Sequence, residues 1–470
     1  MTDEEAYPYA IYGIPNWKVN RESDDPGTKG KKHIWRLYDY PHIVLLYYRM
    51  YQIATLYPEL RTELTADDYL MRSHKTAMAY FTILLGPFKE HGWTAYKTPM
   101  MNEIVINDLI KALKKEGKAE EAAELSRHWN KKVEYFVNGG ANLFGSEMPF
   151  DSTGFESTGA FARYAHEALE NHDQTLKVPA EAVHEFTEKQ VELNIAARGW
   201  LETAYYYLGS DYRRGLGMDY TLSYMSQMGG WSLMDYALYY AKDPFPYLRL
   251  GYASYLSSWA LMNTGTPESN FGYWNPGPQN DGATGGGFEP KAYAKGWLGK
   301  SNKRGAWYYS SEQDVGYNGA LRTATTVVAD DPLFGLIVYG GILEKDSDGL
   351  KVYTKDGLRQ SLHIITKNRK IHLVLQRDGF AAETPVSISS GRDSFIFNVE
   401  NRAASDHTTN IDLQGIDNGS YTVKVNGKNV KTLQVNNKQM SYPLSMTQTA
   451  HSYHIEIARL EPSPGSEEKL

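Results

Sequence analysis

The apolar residues of this chain change period once, and that change limits what it can fold into. From about His42 the spacing is helical: Ile43, Leu46, Tyr47, Met50, Ile53, Ala54 and Tyr57 share one face, and Pro58 stops the run. Further helical stretches are predicted at roughly 66–86, 103–116, 119–137, 154–170, 180–197, 200–208, 220–241 and 245–262. Thr65 reads as an N-cap with acids behind it, and Gly117-Lys118 as the turn of a helical hairpin. After about Asp331 the period becomes 2. Leu333 to Tyr339, Val352 to Thr354, Ser361 to Thr366, Ile371 to Gln376 and Ser394 to Val399 read as strands, and Asn426-Gly427 as a hairpin turn. Between the two regimes, residues 263–318 carry Asn275-Pro276-Gly277-Pro278 and Gly285-Gly286-Gly287, which sustain neither a helix nor a long strand. This long stretch is rich in aromatics, so it reads as an ordered functional loop.

Helices first and strands afterwards predict an α+β chain of separate parts rather than βαβ units. The expected organisation is an irregular lead-in over 1–34, a helical domain over 35–330, an antiparallel β-sandwich over 331–460 and a linker-like tail over 461–470. A length of 470 residues suits two or three such domains, and 41% hydrophobic residues supply cores for them. A net charge of −7 with no basic stripe argues against nucleic acid as a partner. No apolar run approaches the roughly 20 residues of a membrane span. There is no cysteine, which excludes disulfides, thiolate metal sites and cysteine nucleophiles. The acidic start Met1-Thr2-Asp3-Glu4-Glu5 is not a signal peptide. A secreted, periplasmic or cell-surface location is expected, with this chain a mature form or a piece of something longer.

Helical hairpins followed by a β-sandwich resemble the (α/α) toroids of carbohydrate-active enzymes, which include six-hairpin glycoside hydrolases and several polysaccharide lyases. Two blocks sharpen the resemblance. Phe144-Gly145-Ser146-Glu147-Met148-Pro149-Phe150-Asp151-Ser152-Thr153-Gly154-Phe155-Glu156 is similar to a block of an uncharacterised bacterial glycosidase-like domain family. So is Trp307-Tyr308-Tyr309 leading to Asp314-Val315-Gly316-Tyr317-Asn318-Gly319-Ala320-Leu321-Arg322. The resemblance extends over roughly residues 33–345 and implies an (α/α)6-type ring. The helices read from the sequence fall short of six full hairpins, so the ring is either incomplete or has further members. No catalytic role comes with the resemblance, and function has to be argued from the residues.

Glycosidic cleavage commonly uses two carboxyl groups, one protonated and one ionised. Glu147, Asp151 and Glu156 form the densest acidic set, with Phe150 and Phe155 able to raise a neighbour's pKa. The plainer reading of Glu156 is a capping box with Thr153. Glu312 and Asp314 are alternative catalytic acids. Asp39 and His42 stand at the start of the first helix as substrate-contact candidates, although a histidine among aromatics is more often a packed, hydrogen-bonded residue. Trp274 and Trp307 offer flat faces for sugar rings and Glu289 a polar contact; a plain packing role is open for each Trp. Tyr317, Asn318 and Arg322 provide the proton-moving and charge-neutralising types a lyase needs, the second reading. A non-catalytic glycan-binding protein is the third. No cofactor and no metal centre are expected: Gly299-Lys300-Ser301 lacks the leading Gly of a phosphate loop, and Asp346-Ser347-Asp348-Gly349 sits where a hairpin turn is expected. The expected partner is a polysaccharide or oligosaccharide.

Overall fold

The computed structural model describes residues 9–11, 37–82, 94–139, 154–198, 230–262, 272–277, 280–285, 294–295, 301–302, 321–346, 349–403 and 405–460. These have helices in the N-terminal half and mostly antiparallel sheets in the C-terminal half, an α+β chain in two parts. The expected helix at 200–208, most of the lead-in at 1–34 and the tail at 461–470 lie outside the described residues.

In the helical unit, α1 (Tyr40–Leu56) pairs with α2 (Ala66–Thr82), α3 (Ile104–Lys115) with α4 (Ala119–Val137), and α5 (Gly154–Glu170) with α6 (Ala180–Arg198). Three of these ends have a clear local cause. Pro41 sits in the first turn of α1, where its missing N–H costs nothing. Thr65 and Asp68 close a reciprocal capping box on α2: the Asp68 N–H donates to Thr65 Oγ1 at 3.1 Å, and the Thr65 N–H to Asp68 Oδ2 at 3.2 Å. The Lys118 N–H returns to the Leu113 carbonyl at 2.9 Å and turns α3 into α4.

Beyond the hairpin partners, α1 touches α3 and α3 touches α5, while α2 touches α4 and α4 touches α6. The helices thus alternate between two layers. The N-terminal ends of α3 and α5 are deeply buried: Ile104 to Asn107 are all buried, as are Glu156 to Ala162. Helices α4 and α6 keep exposed charged faces, including Glu120, Arg127, Lys131, Glu185 and Lys189. The core runs through Trp129, whose Nε1 donates to Asn107 Oδ1 at 2.7 Å, while Asn107 Nδ2 reaches the Ala160 carbonyl at 3.2 Å. One asparagine therefore ties three helices together with no buried polar group wasted.

The second unit holds two sheets around one core. The first has the order β17 (Gln439–Met446), β14 (His407–Gln414), β10 (Lys370–Leu375), β9 (Ser361–Ile365), β5 (Thr326–Asp331), β6 (Gly335–Tyr339). The second runs β16 (Lys428–Val435), β15 (Gly419–Val425), β18 (Ser452–Arg459), β13 (Ser394–Glu400), β12 (Val386–Ser389), β8 (Gly349–Thr354), β7 (Gly341–Asp346). Leu362, Ile364, Leu373 and Ile411 from the first sheet meet Val352, Phe395, Phe397 and Ile457 from the second in a common cluster. The all-antiparallel expectation is corrected at one place, since β5 and β9 run parallel. The expected Asn-Gly hairpin joins β15 to β16, with Asn426 at φ 50° and Gly427 at φ 76°.

This unit also takes in Met234–Tyr252, a segment the sequence places in the helical half. Met234, Ala237, Leu238, Phe245 and Leu248 pack on Val327, Ala329 and Ile365, which point away from the common core. The first sheet is therefore covered on both faces. Within the segment, Tyr236–Tyr240 forms a π-helical turn, and the first residues of α7 (Phe245–Met262) follow.

Candidate functional site

Three residues from separate stretches of sequence meet at the N-terminal ends of α1, α3 and α5. His42 lies in the first turn of α1, Glu156 in the first turn of α5, and Asn102 just ahead of α3. Asn102 adopts a left-handed backbone with φ 62°, a conformation asparagine tolerates better than most residues. That turn aims its backbone N–H at Glu156 Oε2, 2.8 Å away, and leaves its side-chain Nδ2 3.1 Å from His42 Nδ1. With the amide nitrogen donating, His42 Nδ1 accepts and a neutral ring carries its proton on Nε2. Asn102 and Glu156 are each 1% exposed, and His42 is half-buried.

The turn that carries Asn102 is held from behind by a buried ionic cluster. Glu103 Oε2 accepts the Met100 N–H at 2.9 Å, and Oε1 accepts the Tyr80 hydroxyl at 2.7 Å and the Lys132 ammonium. Lys132 Nζ also donates to the Thr98 carbonyl at 2.7 Å and to the Tyr80 hydroxyl at 3.0 Å. Ser157 Oγ donates to the Met100 carbonyl from the α5 side. Burial drives the Tyr80 hydroxyl well above its ordinary value, and the adjacent Glu103 charge pushes the same way, so Tyr80 stays a donor. Burial pulls the Lys132 ammonium down, opposed by Glu103. Lys132 and Glu103 side chains are both fully buried, so each charge depends on the other.

Of the residues singled out from the sequence, His42 and Glu156 are brought together, with Asn102 between them. The Glu156 carboxylate bonds a backbone amide 54 positions away in sequence, so it braces the Asn102 turn; Thr153, its expected capping partner, lies outside the described residues. Asp39 ends a short 3-10 turn (Leu37–Asp39) and stands at the N-cap position of α1 without a side-chain capping bond. Trp274 lies in β1 (Gly272–Gly277), paired through its backbone with Ala283 of β2 (Asn280–Gly285). Arg322 belongs to the second unit and is half-buried in a helical turn at 321–323. Glu147, Asp151, Glu289, Trp307, Glu312, Asp314, Tyr317 and Asn318 lie outside the described residues. Among the described residues, no group of three or more His, Asp or Glu is placed to hold a metal ion. No described helix is long and apolar enough to cross a membrane.

Residues 17–200 match DUF5695, a family of unknown function. No curated protein matches the chain. The matched span holds the whole His42–Asn102–Glu156 constellation and the Glu103–Lys132–Tyr80 cluster behind it, together with Glu147 and Asp151.

Sequence reasoning missed Asn102, Glu103, Lys132 and Tyr80. Lys132 does leave a signal, because it falls on the apolar stripe of α4 formed by Leu125, Trp129, Val133 and Phe136. A cation on such a stripe asks for a buried partner. Asn102 leaves none that spacing reveals, since its role comes from a backbone conformation and two long-range contacts.

Proposed function

We propose that the protein is a glycoside hydrolase of (α/α) toroid architecture that cleaves a polysaccharide or oligosaccharide by carboxylate acid/base chemistry. The observation that carries this reading is the meeting of His42, Asn102 and Glu156 at one end of a two-layered array of helical hairpins. Alternation of hairpin members between two layers is what such a ring would require, and the three helical hairpins among the described residues support this reading. Glu156 anchors the C-terminal end of the acidic block to the Asn102 turn. Glu147 and Asp151, nine and five residues earlier, are then assigned the acid and base roles, with Glu312 and Asp314 as alternative partners. His42 supplies a hydrogen-bonding edge for sugar hydroxyls, as does Asp39. Trp274 and Trp307 are assigned to sugar-ring stacking, with Glu289 as a polar contact.

The alternative reading is a polysaccharide lyase, in which Tyr317 moves the α-proton and Asn318 and Arg322 neutralise a uronate carboxylate. One assay separates the two. A panel of polysaccharides is followed for new reducing ends and for near-ultraviolet absorbance in parallel. A hydrolase gives reducing ends alone; a lyase gives both. With a substrate in hand, Glu147→Gln and Asp151→Asn are expected to abolish turnover while leaving the melting temperature nearly unchanged. Full activity in both variants would remove these residues from the mechanism.

A further inference from the structure

In the second unit, two histidines sit opposite each other on adjacent strands. His363 of β9 and His372 of β10 are register partners, and their Nδ1 atoms approach to 2.7 Å. That separation is a hydrogen bond, so one Nδ1 carries a proton and the other must not. Both side chains point away from the common core of the two sheets, toward the face covered by Met234–Tyr252. They are 4% and 6% exposed. The cover is specific to them: the Tyr239 ring of the π-helical turn stacks on His372 at 4.5 Å and 27°, and meets His363 edge-on at 6.4 Å. Lys370, two residues before His372, donates from Nζ to the carbonyls of Ala237 (3.0 Å) and Ala241 (2.9 Å), fastening the same turn.

The charged surroundings offer little to stabilise an imidazolium. From the π-helical turn comes Tyr239; from β10 itself comes the cationic Lys370. From β5 come Val327 and Ala329, and from α7 Phe245 and Leu248. Arg249 of α7 is engaged with Asp331 at 2.5 Å. On β14, register puts Gln414 opposite His372, and Asp412 two residues on, opposite Val374. No carboxylate bonds either ring among the described residues.

The geometry points to an acid-released latch: the neutral, proton-sharing His363–His372 pair holds Met234–Tyr252 on the first sheet, and protonation of both rings lets that segment go. The doubly protonated pair places two Nδ1–H donors nose to nose, with like charges next to Lys370, beneath a ring that has no counter-charge to give. Burial, with Lys370 adding, lowers His372 from 6.5 to about 4, and burial together with His372 holds His363 well below its ordinary value. A folded-state value below the ordinary one means the open form takes up protons first as pH falls. The latch is therefore at full strength above about 6.5 and weakens progressively as pH falls toward about 4. Lys370 is lowered from 10.5 to about 8 by burial, and its window lies above that of the histidines.

Hydrogen exchange of the full chain, read in peptides spanning 234–252 and corrected for intrinsic rates, tests the latch. Between about pH 7 and pH 5 the opening equilibrium is expected to rise on the order of 20-fold from His372 alone. The double variant His363→Leu, His372→Phe removes both titrating groups and keeps an aromatic face for Tyr239; its protection is expected to be flat over the same range. Flat protection in the wild-type chain, or an unchanged pH dependence in the double variant, overturns the proposal. Imidazole NMR titration of the wild-type chain gives a check independent of any variant. The pair is expected to stay neutral until 234–252 opens; ordinary titration near 6.5 with that segment still protected would refute the latch.

Discussion

Lys132 carries the sharpest single-residue consequence in the helical unit. Its ammonium is fully buried, and its partners are Glu103, the Tyr80 hydroxyl and the Thr98 carbonyl. Lys132→Met fits the apolar stripe around it but strands the Glu103 carboxylate without a counter-charge. Breaking a buried pair from one side costs about 3–5 kcal/mol, whereas removing both charges is often near neutral. The single variant is expected to lose stability of that order in urea unfolding. The double variant Lys132→Met, Glu103→Gln should recover most of it, because glutamine keeps a carbonyl oxygen for Tyr80 or the Met100 amide. A loss below about 1 kcal/mol in the single variant would mean that the buried Lys132–Glu103 pair does not hold this cluster together. The same residues mark how far the site is legible in sequence. A lysine on an apolar stripe is readable, and so is an acid in a first helical turn such as Glu156. That Glu156 ends on Asn102 is not readable, because the bond depends on a left-handed turn and on packing between helices far apart in the chain.

Elements whose neighbours lie close in sequence are the ones the periodicity reads well. Helix α1, the α3–α4 hairpin and the Asn426-Gly427 turn follow from local stereochemistry and form where the spacing puts them. Strand β5 escapes that reading because Thr326 to Ala329 are buried on both faces, so the period-2 signal is replaced by a continuous run. Strand β17 carries Pro443, which its place at the edge of the first sheet tolerates. Strand β18 does alternate, through Tyr453, Ile455 and Ile457, and lies beyond where the expected strands stop. Two turn glycines show what local geometry alone leaves undecided. Gly427 and Gly415 have nearly the same left-handed φ, 76° and 78°. A Cβ at Gly427 would meet nothing within 4 Å, whereas at Gly415 it would lie 1.8 Å from the Lys370 carbonyl oxygen. Gly427→Ala is expected to cost about 1 kcal/mol, the backbone term alone. Gly415→Ala must also push β10 aside, and is expected to cost several-fold more in the same denaturation assay. Equal costs would show that the β10 contact is not maintained in solution.

At the scale of the whole chain, a boundary drawn where the period changes, near residue 331, is the natural one from sequence alone. The second unit instead combines 321 onward with Met234–Tyr252, which precedes it by some seventy residues. Periodicity cannot announce this, because an amphipathic helical segment reads the same whether its apolar face rests on helices or on a sheet. The packing makes the dependence testable. Without 234–252, Val327, Ala329 and Ile365 lose their cover, and Lys370 loses the Ala237 and Ala241 carbonyls. The exposed face would then be an apolar patch on a sheet, the kind of surface that promotes association. A fragment of residues 321–460 is therefore expected to bind a hydrophobic dye and to unfold at lower temperature than the same fragment carrying 234–252 on a flexible linker. If the bare fragment stays dye-free and melts cooperatively at the temperature of the linked one, the helical segment is dispensable, and the sheet needs no second covering layer.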